Sequence, residues 1–323
     1  MTNLNFKRIS LRAPYLFALL LLFVAVAVNL YLQPNLLQPR VLAGNLRIFL
    51  PLIIVTAGQA IVIMGGGIDL SVGAIVSMVN AILITLIGPE ATTGDILLGI
   101  AIGCGAGILA GALNGFGAVF LRLQPIVTTY ATSFVFGGLA LYILPRPGGS
   151  IPRALLNIYR AMPLGIPMAI FVIIALLLVW SALTGTRYGR YLFAVGGNDE
   201  AAYATGVPVD WVRFSTYVLA GLAAALGAVA LTMSTGSGDP YIGTSMTLDS
   251  IVAVVIGGTR LSGGQGGVAG SILGVIILGL IRNIISFANV PLWSQTLVDA
   301  LIIMAALAGP GIVRLVRRQQ VTT

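Results

Sequence analysis

Residues 65–73 read GGGIDLSVG, with apolar runs on both sides, over 50–64 before and 74–87 after. Asp69 is therefore expected well inside a membrane-embedded region, where an ionisable group is a functional candidate by default. Three consecutive glycines weaken a helix by roughly 1 kcal/mol each relative to alanine. Backbone freed at membrane depth is tolerated only where protein buries it or a water-filled cavity meets it. The stretch reads as a broken helix, with Ser71 or Asp69 capping the helix that follows. The plainer alternative is a tight helix junction in which the aspartate only caps.

Of 323 residues, 58% are hydrophobic and 8% charged, the balance of an integral membrane protein lying in a lipid bilayer. The net charge of +8 comes from basic residues at the ends of apolar runs, so topology explains it and no nucleic-acid footprint remains. There is no histidine, and Cys104 and Lys7 are the one cysteine and the one lysine. This inventory offers no internal disulfide and lacks the commonest general base and metal ligand. No catalytic residue, metal site or cofactor is expected in the chain. The lysine lies outside any GxxxxGK[ST] pattern, so ATP and its Mg would have to be handled on another subunit.

The run 15–32 follows Lys7, Arg8 and Arg12 in the manner of a secretory signal, but it exceeds the roughly 7 to 15 residues of a signal core and is read as a retained first span. Nine further segments follow, near 48–64, 71–87, 96–119, 126–144, 163–183, 214–235, 248–256, 268–288 and 293–309. The eighth segment is too short to cross a core of about 30 Å unless it draws in neighbours. With the N-terminus inside, the inner loops and tails hold eleven Lys and Arg residues and the outer loops five. That bias puts both termini, the tails 1–14 and 310–323, and the loop 184–212 in the cytoplasm. Arg282 falls inside the ninth segment, where Asp249 or Asp299 can pair with it. Ten spans divide five and five about the loop 145–162, so a repeat relating the halves would be inverted.

Glycines at 99, 103, 107, 111 and 115 form a ridge on the fourth segment, which is read as a central, closely packed helix; Gly270 and Gly274 repeat the spacing in the ninth. The loop 184–212 reads TGTRYGRYLFAVGGNDEAAYATGVPVDWV. Within it Asn198 or Asp199 can cap a short helix through Glu200, Ala201, Ala202, Tyr203 and Ala204 to Gly206, which Pro208 stops. A capped helix between two spans suits docking of a soluble partner; the plain reading is an ordinary connection.

Polar residues dot the spans, namely Gln59, Asn80, Asn114, Gln124, Thr128, Thr129, Tyr130, Thr132 and Asn283. Neutral donors and acceptors suit a hydroxylated solute, although each alone is equally an interhelical hydrogen bond. With Asp69, Ser71 and Asp249, the residues Gln59, Asn114, Gln124, Thr128 and Thr129 make up the candidate pathway. The glycine- and hydroxyl-rich stretch 234–247 reads as an outer gate or re-entrant entrance, and the loop 145–162 carries three arginines that can meet a periplasmic partner. An ion-coupled secondary transporter working through Asp69, Asp249 or Asp299 is the rival from another class.

Four ordered motifs, GGGIDLSVG at 65–73, LQPIVTTYAT at 123–132, RYGRYLFAVGGNDEAAYATGV at 187–207 and LDSIVAVVIGGTRLSGGQGGVAGSILG at 248–274, resemble the membrane permeases of ribose-type ABC sugar importers. The resemblance covers nearly the whole chain. It implies a single permease domain over 1–323, an all-α polytopic bundle of ten helices of the vitamin-B12-importer type, in the bacterial inner membrane. It also implies a second permease chain as homo- or heterodimer, a cytoplasmic ATPase that binds ATP and Mg, and a periplasmic sugar-binding protein. Residues Gly197, Asn198, Asp199, Glu200, Ala201, Ala202, Tyr203, Ala204 and Gly206 would then form the coupling helix. Ribose, xylose or galactofuranose would be the cargo. Gln59 departs from the family pattern, which is apolar there, and would mark substrate preference if it faces the pathway.

Overall fold

The computed structural model describes residues 16–288, together with the helical positions Leu297, Leu301 and Met304. Among these residues all regular structure is helical, apart from one isolated bridge between Gly148 and Gly238. The helices are α1 (Leu16–Leu32), α2 (Pro39–Met64), α3 (Val72–Leu86), α4 (Thr93–Gly115, continued by a π turn over Phe116–Phe120), α5 (Pro125–Ile143) and α6 (Arg153–Arg160). They continue with α7 (Met168–Gly185), α8 (Arg187–Gly197), α9 (Asp199–Ala204), α10 (Val209–Thr235), α11 (Met246–Ile256) and α12 (Val268–Phe287).

Nine of the ten apolar segments are thus helices where the sequence puts them. Most of the tenth, 293–309, lies outside the described residues, as do both tails and Asp299. Among the described residues six helices are long and apolar enough to cross a membrane: α2, α4 with its continuation to Phe120, α5, α7, α10 and α12. The chain is a polytopic helical membrane protein. With 15 and 11 residues, α3 and α11 rise only about 22 and about 16 Å, short of a core of about 30 Å.

The central helix is α2, in which every residue from 49 to 64 except Ile61 is buried. Beside it lies α10, and small residues bring the two together: Gly58 fits against Ala220 and Ala223, and Gly227 against Val55. On its other side α10 meets the α4 ridge, where Gly107 and Gly111 face the backbones of Gly221 and Tyr217. The ridge is therefore a contact seam, as small-residue spacing implies. It does not make α4 central. Leu98, Ile102, Leu109 and Leu113 leave the opposite face of α4 exposed, so the helix buries its glycine edge and turns its leucines outward. Gly270 and Gly274 of α12 likewise fit against Gly257 and Ala253 at the end of α11.

Two short elements mark opposite ends of α2. Near its start, the Tyr159 hydroxyl of α6 donates to the Arg47 carbonyl at 2.6 Å, and burial pushes this phenol up to about 12. Near its end, Gly196 of α8 packs on the Met64 carbonyl. Between the ends, the irregular stretch that leads into α11 descends along α3. Asn80 accepts the Asp239 amide at 2.9 Å and donates to Thr232 at 2.7 Å; Ser77 accepts the Gly243 amide, and Thr247 accepts the Gly73 amide, each at 3.0 Å.

A Cβ at position 221 would strike the Gly107 carbonyl, whereas one at position 105 meets nothing within 4 Å. Gly221→Ala is expected to cost about 1–3 kcal/mol through overpacking, read as a lower unfolding temperature in detergent. Gly105→Ala should leave stability level or raise it by up to about 1 kcal/mol. Equal effects would contradict the seam.

Candidate functional site at the helix break

The α2 helix ends at Met64, and Gly66 turns the chain with φ +85, a conformation that favours glycine. Gly67 is required for space, because the Tyr217 hydroxyl lies 2.5 Å from where its Cβ would be. Five side chains carry the polar core of the break. Asp69 Oδ1 accepts the Ser71 amide at 2.8 Å and the Ser71 hydroxyl at 2.7 Å, while Asn114 donates to Ser71 Oγ at 2.6 Å and to Asp69 Oδ2 at 3.4 Å. Thr132 donates to Asn114 Oδ1 at 2.5 Å. Thr129 accepts the Leu70 amide at 3.0 Å and donates to the Pro125 carbonyl at 2.9 Å. Asp69, Ser71, Asn114 and Thr129 are fully buried, so one closed network ties the break to α4 and α5.

This geometry corrects the capping expectation. Ser71 holds the N-cap position of α3, but its backbone is already helical (φ −96, ψ −10) and its side chain makes no cap bond. An N-cap normally needs extended backbone to aim its oxygen at the following amides. Ser71 turns to Asp69 and Asn114 instead. The break sits at the end of α2 that meets α8, and the protein packed around it buries the Asp69 carboxyl group completely.

The other candidates fall elsewhere. Gln124 is exposed and offers only its carbonyl, which accepts the Thr128 hydroxyl at 3.1 Å; neither side chain joins the network. Their places follow from the rotation of α5, which turns Thr129 and Thr132 inward. Gln59 is fully buried on α2, and neither of its amide atoms has a hydrogen-bond partner. Asp249 pairs with Arg282 at 2.6 Å, joining α11 to α12.

The loop 184–212 holds two helices. Asn198 caps α9 by accepting the Ala201 amide at 2.8 Å, and Gly206 (φ +82) lies just beyond its end. Preceding it, α8 is an element the sequence reading missed, although Tyr188, Leu192 and Val195 have helical spacing. Thr186 caps α8, and Tyr188 reaches Ser215 of α10 at 2.8 Å, with burial raising its phenol above the ordinary value. Glycines from three segments then meet backbone to backbone. Met64 accepts the Gly264 amide at 3.0 Å, Gly196 and Gly197 pack on Gly264, and Gly263 packs on Gly66 and Gly196. Arg213 of α10 reaches Asp199 at 2.9 Å beside this joint. A cavity of about 920 Å³ opens between the break and α9. Tyr217, which borders it, was also missed; its signal is a lone tyrosine in the alanine- and glycine-rich run of α10.

A polytopic helical protein whose spans break around buried polar groups belongs to the broad class of membrane transport proteins. The chain belongs to the family described as branched-chain amino acid transport system / permease component, whose model matches residues 41–307. It is 36% identical over 289 residues to the ribose import permease protein RbsC of Bacillus subtilis (strain 168), covering 88% of this chain and 89% of that one. Identity to the ribose import permease protein RbsC of Escherichia coli (strain K12) is 31% over 295 residues, with 90% and 91% covered. Identity to the autoinducer 2 import system permease protein LsrD of Salmonella paratyphi B is 30% over 304 residues, with 91% and 90% covered. No solved structure matches. The resemblance to ribose-type ABC permeases thus holds over nearly the whole chain, and its relatives are permease subunits of transporters.

Asn114→Leu removes the donor to Ser71 and Asp69 and leaves Thr132 without its acceptor. A loss of about 2–3 kcal/mol is expected, read as a fall in unfolding temperature, while Gln124→Ala leaves it unchanged. Indifference to Asn114→Leu would show that the network does not hold the break.

Proposed function

We propose that this chain is the membrane-spanning permease subunit of an ABC importer that moves a monosaccharide of the ribose class into the cytoplasm. ATP and Mg act on a separate cytoplasmic ATPase, a periplasmic binding protein delivers the sugar, and a second permease chain completes the pathway. In this reading the whole chain is one permease domain in the inner membrane, a ten-helix bundle of the vitamin-B12-importer type with both termini and the loop 184–212 in the cytoplasm. The residues Gly197 to Ala204 and Gly206 enter the ATPase, and Asp69, Ser71, Asn114 and Thr129 form the part of the bundle that responds.

The observation that carries the proposal is the joint at Gly196. The α8 helix, which leads directly into the docking helix α9, abuts the point where α2 stops without intervening side chains. Backbone contacts of this kind leave no rotamer to absorb a displacement, so a shift of α9 and α8 is passed to Met64 and Gly66. The Arg213 to Asp199 pair is half-exposed, which makes it worth no more than about 1 kcal/mol; its use is to hold α9 in register with α10. Relatives with ribose and autoinducer 2 in their names favour a small hydroxylated cargo.

The test is sugar uptake into vesicles holding this chain with its ATPase and binding protein, driven either by ATP or by a proton gradient. Uptake is expected to need ATP. Gly196→Ala, whose Cβ would strike the Met64 carbonyl, should lower the sugar moved per ATP hydrolysed, and so should the milder Glu200→Ala on the exposed face of α9. Uptake driven by the gradient alone would overturn the proposal.

A further inference from the structure

The cavity between the break and α9 borders the docking helix at Asp199, Glu200 and Tyr203, but Tyr217, Trp211 and its wall over 118–125 have no part in the coupling scheme above. We infer that it is a sugar-binding subsite, in which the Tyr217 hydroxyl and the glycine backbone at 65–67 hold the hydroxyls of a neutral monosaccharide. This rests on the importer reading and adds to it a place where cargo pauses on the α9 side of the buried network.

At about 920 Å³ the cavity falls in the range of roughly 300–1,000 Å³ typical of small-molecule sites. Tyr217 lines it and is 2% exposed, yet its hydroxyl has no hydrogen-bond partner. A buried hydroxyl left unpaired is costly, and a ligand that reaches it removes the cost. The carbonyls of Gly65, Gly66 and Gly67 also accept no hydrogen bond from the described residues. Free acceptors beside a hydroxyl that can donate or accept call for a ligand rich in O–H groups.

Charge and shape narrow the class further. Arg122 and Arg213 on the wall are outnumbered by Asp199, Glu200 and Asp210, so the cavity has no cationic excess to attract an anion. Arg213 is moreover engaged with Asp199. Trp211 is 64% exposed and meets Phe120 edge-on at 5.4 Å, presenting an aromatic surface against which the C–H face of a sugar ring can pack. Removing the Tyr217 hydroxyl breaks no bond inside the protein. A purely structural tyrosine would tolerate phenylalanine in every assay.

The experiment uses a Cys104→Ala background, which removes the chain's one cysteine, and Val119→Cys to place a thiol on the cavity wall. The permease in lipid nanodiscs is labelled with a charged maleimide, with D-ribose, D-xylose, D-galactose or no sugar present. The same variant, assembled with its ATPase and binding protein, is assayed for ATP-driven uptake of each sugar. A sugar that is taken up is expected to slow labelling in a saturable way. Tyr217→Phe should raise the half-protecting concentration by roughly fivefold to tenfold, the value of one hydrogen bond, with the unprotected labelling rate unchanged and the unfolding temperature level or raised. Uptake without protection, or protection that Tyr217→Phe does not weaken, would overturn the subsite and leave the importer reading standing. No ATP-driven uptake of any sugar would overturn that reading and the subsite with it.

Discussion

A chain that stops a helix inside a bilayer must satisfy the freed backbone within the protein, since lipid offers no hydrogen bonds. That constraint organises this bundle. Where α2 ends, Asp69 accepts from Ser71, Thr129 accepts the Leu70 amide, and Asn114 holds both Ser71 and Asp69 while Thr132 fixes its amide. Each group has one correct position only if α4 and α5 stand where they do. The break is thus less a loosened hinge than the most fully bonded point of its region.

Space is the second requirement, and glycine meets it. The α10 helix runs between α2 and α4 with backbone close to backbone on both sides, which larger residues at 58, 107, 111, 221 or 227 would prevent. In lipid no hydrophobic force draws helices together, so close packing has to supply the attraction. The leucine faces of α4 and α7 remain outside this contact, facing where lipid would lie.

Helix positions were legible in the sequence because a span must be apolar throughout and satisfy its own backbone. Their limits were less so. The start of α3 was read to within one residue, but α2 begins at Pro39 and α10 at Val209, well ahead of the apolar runs at 48 and 214, because a helix extends through polar residues once its backbone is started. The polar cluster was half legible. Asp69, Ser71, Asn114 and Thr129 stand out against apolar neighbours, but Gln124 and Thr128 stand out equally, and only the rotation of α5 separates them. Periodicity could not place Tyr217 beside Gly67 or Gly264 on Met64. Those contacts join distant segments of the chain through backbone and space, and such contacts leave no trace in local composition.

The joint of Met64, Gly66, Gly196, Gly263 and Gly264 has a consequence for how such a protein can diverge. Its geometry depends on what these positions lack, not on any matched pair of side chains. The exposed face of α9, with Glu200 and Tyr203, is therefore free to be rewritten to fit a different soluble subunit while the contact behind it stays as it is. A bundle built this way separates the choice of partner from the transmission of force. The same transmembrane machinery can then be fitted to another motor by altering a few surface residues.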